Sequence, residues 1–372
     1  MLRQVAEALA AGTVVCRYVQ PLIQPGAAVP ASDWQLTKSD ASPVTIADLA
    51  CQAVVNTHLQ RAGLITGPAN PGAPGMLAEE SASTLLGPEN EGVARAVARV
   101  LAASGAWPGE PTAQELAAAI DAADLPGYSK ERPLPARYWS LDPIDGTKGF
   151  IKGRAYAVCL ALVSDGQPTV CALSCPKLDP DVAADPVAAH PTGCVVLAER
   201  VVNSAGKTGW GPLWTVPLTA VGGCDFGAAR AGGAAGVGRV RPELTRWTEG
   251  LERSPRDVRV LDAVIARIGG RRGVAMDSQA KYAAVSRKQA DVYLRPAPRH
   301  WGMKVWDHAA GIGLCQAAGR VASDLKGRPL EFSTGFALSG QGILVCPPEL
   351  HRPIIEALAG LPDAFAAADY EP

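Results

Sequence analysis

The segment LDPIDGTKGF, residues 141–150, places Asp142 and Asp145 three positions apart, with a proline between them and a glycine directly after the second. The residues before it, RYWS, include Tyr138 and Trp139, and such aromatic residues are enriched in strands. Two like charges repel each other, and burying both beside such a strand is costly unless a positive charge lies nearby. The segment therefore leaves two interpretations, a solvated turn or a pair of carboxylates that share a cation.

The composition of the chain limits what this cation can be. With 35 basic and 36 acidic residues, the net charge is −1, which gives no sign of a nucleic-acid or membrane partner. Nine cysteines, an odd number without a Cys-x-x-Cys pair, argue against a disulfide framework or a zinc site. Any positive partner of the two aspartates must therefore be local.

The length of 372 residues exceeds that of a typical single domain and predicts two domains that share a cleft, residues 1–215 and 216–372. No apolar run is long enough for a transmembrane helix, and residues 1–20 have the periodicity of a folded helix rather than of a signal peptide. We expect an intracellular monomer, in the cytoplasm or in an organelle such as a plastid or mitochondrion, that acts on a small molecule.

Sequence periodicity predicts how the chain is organised. Three apolar runs between residues 156 and 200, split by Gly, Pro and Asp, are typical of antiparallel strands. Beyond residue 257, helical and strand patterns alternate, which predicts a C-terminal α/β domain. The stretch 203–240 is rich in Gly, Ala and Pro, and we interpret it as a loose connection near the domain boundary.

Further carboxylates lie at the edges of predicted elements, where a rigid scaffold can carry cleft residues. Asp48 lies in the first turn of a helix, three residues after Thr45 in an arrangement that resembles a capping box. Glu79 follows a short strand, and Asp307 opens a later helix. Each alone is best explained as a solvated cap, but together these oxygen ligands are typical of hard cations such as Mg²⁺. Two such ions about 3.5–4 Å apart can clamp a transferring phosphoryl group.

The residues after the two aspartates favour the same chemistry. Gly146 and Thr147 offer backbone N–H groups at a turn into a helix, which suits a phosphate oxygen. The hydroxyl of Thr147 can pass a proton from an attacking water to a carboxylate such as Asp48. A competing interpretation is the Asp-x-Asp-Gly-Thr motif of haloacid-dehalogenase-type phosphatases, in which the first aspartate is the nucleophile. Here two residues separate the aspartates instead of one, which disfavours that motif.

These segments resemble a known family. The motif DPIDGTKGF occurs together with five others, SPVTIAD (42–48), EES (79–81), DSQAKY (277–282), ADVYLR (290–295) and VWDHAAG (305–311). In combination they resemble the lithium-sensitive, magnesium-dependent phosphatases related to inositol monophosphatase, and within that group the 3'(2'),5'-bisphosphate nucleotidases. The resemblance implies the α/β sugar-phosphatase fold, with alternating helix and sheet layers and an active site between an N-terminal α+β domain and a C-terminal α/β domain.

The resemblance also implies roles for individual residues. The family's metal ligands, which would hold two or three Mg²⁺ ions, fall on Glu79, Asp142, Asp145, Asp307 and the backbone carbonyl of Ile144. The family's catalytic pair falls on Asp48 and Thr147. The family's substrate contacts fall on Gly146, Thr147, Ser278, Lys281, Arg295 and Asp307. On periodicity alone, Lys281 and Arg295 would instead be interpreted as the solvated ends of a helix and of a strand.

The reaction implied is hydrolysis of the 3'-phosphate of adenosine 3',5'-bisphosphate to AMP and phosphate, by direct attack of water and without a covalent intermediate. The sulfated relative 3'-phosphoadenylyl sulfate is implied as a second substrate, and lithium as an inhibitor. Two alternatives stay open, an inositol polyphosphate 1-phosphatase or inositol phosphatase, and a non-catalytic sensor of adenosine bisphosphate.

One departure from the family pattern concerns substrate preference. Family members usually carry a histidine-containing stretch before the DSQAKY segment, and its histidine helps to hold the substrate. The matching stretch here is EGLERSPRD, residues 249–257, which is two residues shorter and has no histidine. Arg253 or Arg256 could replace that contact, or the loop could have moved and the contact be lost. The Gly- and Ala-rich stretch 222–240, which resembles an insertion, bears on the same preference.

Overall fold

The structure is a computed structural model, and it describes residues 1–24, 35–37, 43–67, 70–85, 90–125, 132–232, 241–252, 254–296, 303–338 and 340–361. Within these ranges the helices are α1 (Leu2–Ile23), α2 (Ile46–Arg61), α3 (Glu91–Ala103), α4 (Ala113–Ile120), α5 (Thr147–Ile151), α6 (Pro255–Ile268), α7 (Ala280–Ser286), α8 (Ala309–Ala317) and α9 (Pro348–Ala359). In the same ranges, no helix is both long and apolar enough to cross a membrane.

The described strands fall into one large, one medium and one very small sheet. They are β1 (Gln35–Thr37), β2 (Pro43–Thr45), β3 (Gly75–Ala78), β4 (Arg137–Asp145), β5 (Ala157–Ser164), β6 (Gln167–Cys175), β7 (Cys194–Val202), β8 (Thr208–Trp210), β9 (Leu213–Pro217), β10 (Arg230–Gly232), β11 (Arg246–Glu249), β12 (Arg271–Ala275), β13 (Val292–Arg295), β14 (Val321–Ser323) and β15 (Ile343–Cys346). The large sheet has the order β10-β9-β7-β6-β5-β4-β3, with β8 paired to β7, and the medium sheet has the order β12-β11-β13-β15-β14.

The large sheet is buried on both faces, and strand β5 shows how its sequence achieves this. Val158, Leu160 and Leu162 pack into a core shared with α1 and α2, while Cys159 and Ala161 between them pack into a second core shared with α7 and α8. Successive side chains of a strand point to opposite faces, so an unbroken apolar run is what a sheet covered on both sides requires. The three apolar runs predicted as antiparallel strands are β5, β6 and β7, and that prediction is confirmed.

A third core completes the layering. Trp247 of β11, Leu294 of β13 and Leu344 of β15 pack on one side of the medium sheet against apolar residues of α6 and α9. The opposite side of this sheet, including Tyr293 and Val345, packs into the core that holds α7 and α8. The molecule is therefore a stack of helix, sheet, helix, sheet and helix layers, and the predicted alternation of layers is confirmed.

The stretch 203–240 differs from its prediction as a loose connection. It contains β8, β9 and β10, which extend the large sheet, while residues 233–240 lie outside the described part of the chain. Strands β8 and β10 are three residues long and mostly exposed, so they lack the apolar run that marks a strand in sequence. Strand β9 (LWTVP) is largely apolar and buried, but it is only five residues long and lies among Gly- and Pro-rich segments. Residue 215 lies inside β9, and by sheet membership a division falls between residues 232 and 246; the two-domain organisation itself stays a prediction.

Candidate active site

A β-bulge in strand β4 explains why two aspartates three positions apart can act together. In a regular strand, residues separated by an odd number of positions point to opposite faces. In β4, Asp142 lies opposite Cys159 and Asp145 lies opposite Ala157, so β4 contains one residue more than β5 between these pairs. Residues opposite each other share a face, and Cys159 and Ala157 both face the core of α7 and α8. The extra residue therefore turns both aspartates to the same side.

The proline between the two aspartates fits this bulge. Proline has no N–H to donate to the ladder, and within sheets it is confined to edges, first positions and bulges. The backbone N–H of Ile144 instead donates to Asp142 Oδ1 at 3.0 Å, which holds that carboxylate against its own strand. The motif DPID is thus suited to presenting two carboxylates from one strand end.

Three carboxylates from different parts of the chain meet at this strand end. Oxygen atoms of Glu79, Asp142 and Asp307 lie within 4.8 Å of one another. Glu79 follows β3, and its backbone N–H donates to Leu141 O at 3.0 Å, so it lies beside Asp142 across the parallel pair β3 and β4. Asp307 precedes α8 and reaches the cluster from the layer below. These are three of the four acidic metal ligands that the sequence predicted.

Burial and mutual repulsion raise the pKa values of two carboxylates in this cluster, Asp142 and Asp307. The pKa of Asp142 is raised well above its usual range, first by burial and then by the negative charges of Glu79, Asp145 and Asp307. The same causes, burial and then Glu79 and Asp145, raise the pKa of Asp307 to about 8. A divalent cation would remove both penalties at once, and an oxygen-only ligand set suits a hard ion such as Mg²⁺. The residues present therefore fit the predicted metal.

Asp145 has a different environment from its neighbours. Burial raises its pKa to about 6, while the positive charge of Lys281 and a hydrogen bond from the backbone N–H of Gln279 to its Oδ2 act in the opposite direction. Asp145 therefore ionises more readily than Asp307. Its carboxylate is hydrogen-bonded to the segment that carries the predicted substrate contacts Ser278 and Lys281.

The predicted catalytic pair is also brought together. Thr45 and Asp48 form the predicted capping box at the start of α2, in which Asp48 Oδ2 accepts the Thr45 N–H at 2.8 Å and the Thr45 hydroxyl at 2.6 Å. The other oxygen, Oδ1, lies 3.4 Å from Thr147 Oγ1. The Thr147 hydroxyl is also 3.1 Å from Ile144 O, and its single proton can be donated to one of these two acceptors at a time.

A close approach between two segments shapes the floor of the site. Gly146, between β4 and α5, has φ +89°, and a Cβ atom there would lie 2.9 Å from the Cβ of Ser278. Glycine is therefore required both for the backbone conformation and for the contact. The contact places Thr147, one residue later, beside the segment that precedes α7. Ser278 itself has φ +67°, and its Oγ accepts a hydrogen bond from Ala280 N at 3.1 Å.

The two predicted phosphate-binding cations act on the carboxylates of the site: the charges of both partly offset the burial that raises the pKa of Asp145, and that of Arg295 does the same for the pKa of Asp307. Lys281 is 8% exposed, and its Nζ donates to Ser278 O at 2.7 Å and Met276 O at 3.2 Å. Burial lowers the pKa of Lys281 to about 8, so the ammonium is only partly retained above neutral pH. The interpretation of Lys281 as a solvated helix end is therefore wrong. Arg295, at the end of β13, has Nη1 3.4 Å from the ring Nε2 of His308.

All of the predicted site residues except Asp48, Asp142 and Ile144 line one cavity of about 360 Å³. Its lining includes the carboxylate residues Glu79, Asp145 and Asp307, and it also includes Leu261, Leu294 and Tyr293. The cavity is within the size range of small-molecule sites, about 300–1,000 Å³. It therefore has room for a ligand that extends well beyond a single phosphate.

The stretch 249–257, which lacks the family's histidine, borders this cavity with carboxylates. Glu249, Glu252 and Asp257 line it, and Glu252 lies in ion pairs with Lys152 and with Arg154 at 3.3 Å. The predicted replacements for the histidine cannot be placed, since Arg253 and the side chain of Arg256 lie outside the described residues. The carboxylates of this wall were not among the predicted site residues.

Two further residues of the site were not predicted, although both lie in quoted motifs. His308, in VWDHAAG, is 1% exposed, and its Nδ1 is 2.8 Å from the hydroxyl of Tyr282. Gln279, in DSQAKY, is equally buried and hydrogen-bonds both to Asp145 and to the segment around Asp307. The only signal in the sequence was their position directly beside predicted ligands, because polar contacts across the fold leave no periodic pattern.

The raised pKa of Asp307 predicts a pH-dependent stability of the metal-free protein. Between about pH 6.5 and 8, the folded state keeps a proton on Asp307 that the unfolded chain has lost, so the free energy of unfolding should fall as pH rises. The slope should reach at most about 1.4 kcal/mol per pH unit for one proton. Urea denaturation at several pH values in a chelator measures it, and Asp307→Asn should flatten the curve. Equal slopes in both proteins would contradict the assignment.

Comparison with known proteins places this chain in a family. The profile of the inositol monophosphatase family matches residues 108–362, which is more than half of the chain. The chain belongs to this family.

Among the relatives, a protein of Arabidopsis thaliana named 3',5'-bisphosphate nucleotidase AHL is 34% identical over 349 residues, with 87% of each chain covered. The 3'(2'),5'-bisphosphate nucleotidase of Schizosaccharomyces pombe is 32% identical over 340 residues, covering 88% of this chain and 86% of that protein. Among solved structures, the extragenic suppressor protein suhB of Bartonella henselae matches with a TM-score of 0.54 and 18% identity, over 97% of this chain and 98% of the other. This last match shows the fold alone.

Proposed function

We propose that this protein is a magnesium-dependent phosphomonoesterase that removes the 3'-phosphate of adenosine 3',5'-bisphosphate. The observation that carries the proposal is one cavity lined both by carboxylates, Glu79, Asp145 and Asp307, and by two cations, Lys281 and Arg295. Glu79 and Asp307 also converge with Asp142. Such a cavity suits a substrate with two phosphates, one for the metal-binding carboxylates and one for the cations. The names of the relatives support the nucleotide as substrate.

Glu79, Asp142, Asp145, Asp307 and the carbonyl of Ile144 are the residues that would hold Mg²⁺. When bound, the ions supply positive charge to the phosphoryl oxygens and lower the pKa of a water. The negative charge of the cluster fits this role. Its carboxylates raise the pKa values of Asp142 and Asp307, and a bound cation would stabilise the ionised forms of both.

Thr147 and Asp48 would receive the proton of the attacking water. For this the Thr147 hydroxyl must donate to Asp48 Oδ1 rather than to Ile144 O, so that its own oxygen can accept from the water. The capping box supports this arrangement, because Thr45 occupies Oδ2 and so fixes the rotation of the Asp48 carboxylate. Lys281 and Arg295 would attract the phosphate that is retained.

The apolar part of the cavity lining favours a nucleotide over an inositol phosphate. Leu261, Leu294 and Tyr293 line the same cavity as Lys281 and Arg295, and the centroid of the Tyr293 ring lies 5.7 Å from Lys281 Nζ. An apolar surface with an aromatic ring suits a nucleobase, whereas an inositol ring presents only hydroxyl groups. The sulfated relative 3'-phosphoadenylyl sulfate has the same base and the same 3'-phosphate, and we propose it as a second substrate.

The test is phosphate release with Mg²⁺ from three substrates under identical conditions: adenosine 3',5'-bisphosphate, inositol 1,4-bisphosphate and inositol 1-phosphate. We expect the highest kcat/KM for the nucleotide, loss of activity in a chelator, and inhibition by lithium. Preference for an inositol phosphate would retain the metal site but refute the substrate. Tight nucleotide binding with no phosphate release from any of the three would favour a sensor.

A further inference from the structure

Asp145 and Asp307 approach the same cavity from different layers of the molecule. Asp145 ends a strand of the large sheet, while Asp307 precedes α8 in the layer beneath it. The negative charge of Asp145 opposes the ionisation of Asp307 and so contributes to its raised pKa. Two carboxylates that repel each other separate unless the surrounding structure holds them. A neutral hydrogen-bonding group can connect these two segments without changing the charge of the metal site.

Gln279 provides such a connection. Its backbone N–H donates to Asp145 Oδ2, its side-chain Nε2 donates to Trp306 O at 2.8 Å, and its Oε1 accepts from Gly311 N at 3.0 Å. Trp306 directly precedes Asp307, and Gly311 lies in the first turn of α8. One residue thus bonds to one predicted metal ligand and to both sides of another.

The chemistry of the side chain is specific for this task. An amide can donate to a carbonyl and accept from an N–H at the same time, which a carboxylate cannot do without a proton. The first N–H groups of a helix have no partner within the helix, and Gln279 satisfies the one on Gly311 from outside. Gln279 is 1% exposed, so these bonds do not compete with bulk water.

We propose that Gln279 is a positioning residue that sets the separation of Asp145 and Asp307, and with it the affinity of the site for divalent cations. The proposal rests on the metal site proposed above. Polar groups that orient metal ligands typically change metal affinity or activity about 10–100-fold when they are replaced.

The test measures cation binding without substrate. Mg²⁺ and Mn²⁺ are titrated calorimetrically into the wild type, Gln279→Met and Gln279→Asn, while the melting temperature in a chelator reports on the fold. Methionine matches the length of glutamine but lacks its side-chain hydrogen bonds to Trp306 and Gly311, while the backbone N–H that donates to Asp145 remains in both variants. Asparagine keeps the amide but is too short to reach both Trp306 and Gly311. Gln289→Met is the matched control, because Gln289 is also buried, follows the other end of α7 and donates to Ala184 O at 3.2 Å.

We expect both Gln279 variants to bind the cations about 10–100-fold more weakly, whereas Gln289→Met binds them like the wild type. In the phosphatase assay, raising the metal concentration should restore much of the turnover of Gln279→Met. The KM for the nucleotide should change less than the affinity for the cations. Wild-type cation affinity in both Gln279 variants would overturn the proposal, as would failure of both to fold when the control folds. A wild type that binds neither cation would instead overturn the metal site itself.

Discussion

Asp145→Asn should lower metal-dependent turnover by more than about 100-fold while the protein stays folded. The size follows because partners that only orient a metal ligand already account for about 10–100-fold, and Asp145 is proposed as a ligand itself. The fold should survive because asparagine keeps an oxygen that can accept the N–H of Gln279. Above about pH 6, the free energy of unfolding without metal should not decrease. The substitution removes the buried negative charge of Asp145, a group whose pKa is raised to about 6.

The measurement combines kcat/KM across a range of Mg²⁺ concentrations with melting temperature in a chelator. Asp165→Asn is the matched control, because Asp165 is an exposed residue with φ +49° in the turn between β5 and β6, a conformation that asparagine tolerates. It should leave both quantities unchanged. If Asp145→Asn retained turnover within a few-fold of the wild type, Asp145 would not be a metal ligand and the cluster would have to act through Glu79, Asp142 and Asp307.

Thr147→Val should lower kcat by about 10²–10⁴-fold, the usual contribution of a positioned acid–base group. Valine has nearly the shape of threonine but no hydroxyl, so the contacts to Asp48 and to Ile144 O are both lost. Thr147→Ser restores the hydroxyl and should recover activity to within about tenfold of the wild type. Metal affinity should change little in either variant, because the proposed role of Thr147 is proton transfer.

A double variant sharpens this prediction. If Thr147 and Asp48 act as one unit, Asp48→Asn combined with Thr147→Val should be no slower than the worse of the two single variants. Asparagine at position 48 can still accept the capping hydrogen bond of Thr45, so the start of α2 should be preserved. Multiplied losses in the double variant would show that the two residues act separately, and would refute the proton path from Thr147 to Asp48.

Much of the site could be predicted because it depends on local sequence. The pairing of Thr45 with Asp48 is a local capping pattern, and it appears at the start of α2 as predicted. The two-sided burial of β5 can be read from an unbroken apolar run. The carboxylates at the element edges were identified by type and position, and the structure brings Glu79, Asp142 and Asp307 together.

The remainder depended on contacts between segments that are far apart in the chain. The odd spacing of Asp142 and Asp145 predicts opposite faces, and only pairing with β5 shows the bulge that turns both to one side. Lys281 resembled a solvated helix end, since its burial comes from layers that meet only in the folded molecule.

The sequence alone therefore determined which residue types supply the chemistry and where the regular elements begin, because charge, capping and periodicity act over a few positions. It also determined the family, through motifs that are specific in combination. The tertiary structure decided the direction of the carboxylates, the burial of Lys281 and the connection through Gln279. Those properties follow from bulges, packed layers and hydrogen bonds across the fold, which no local pattern encodes.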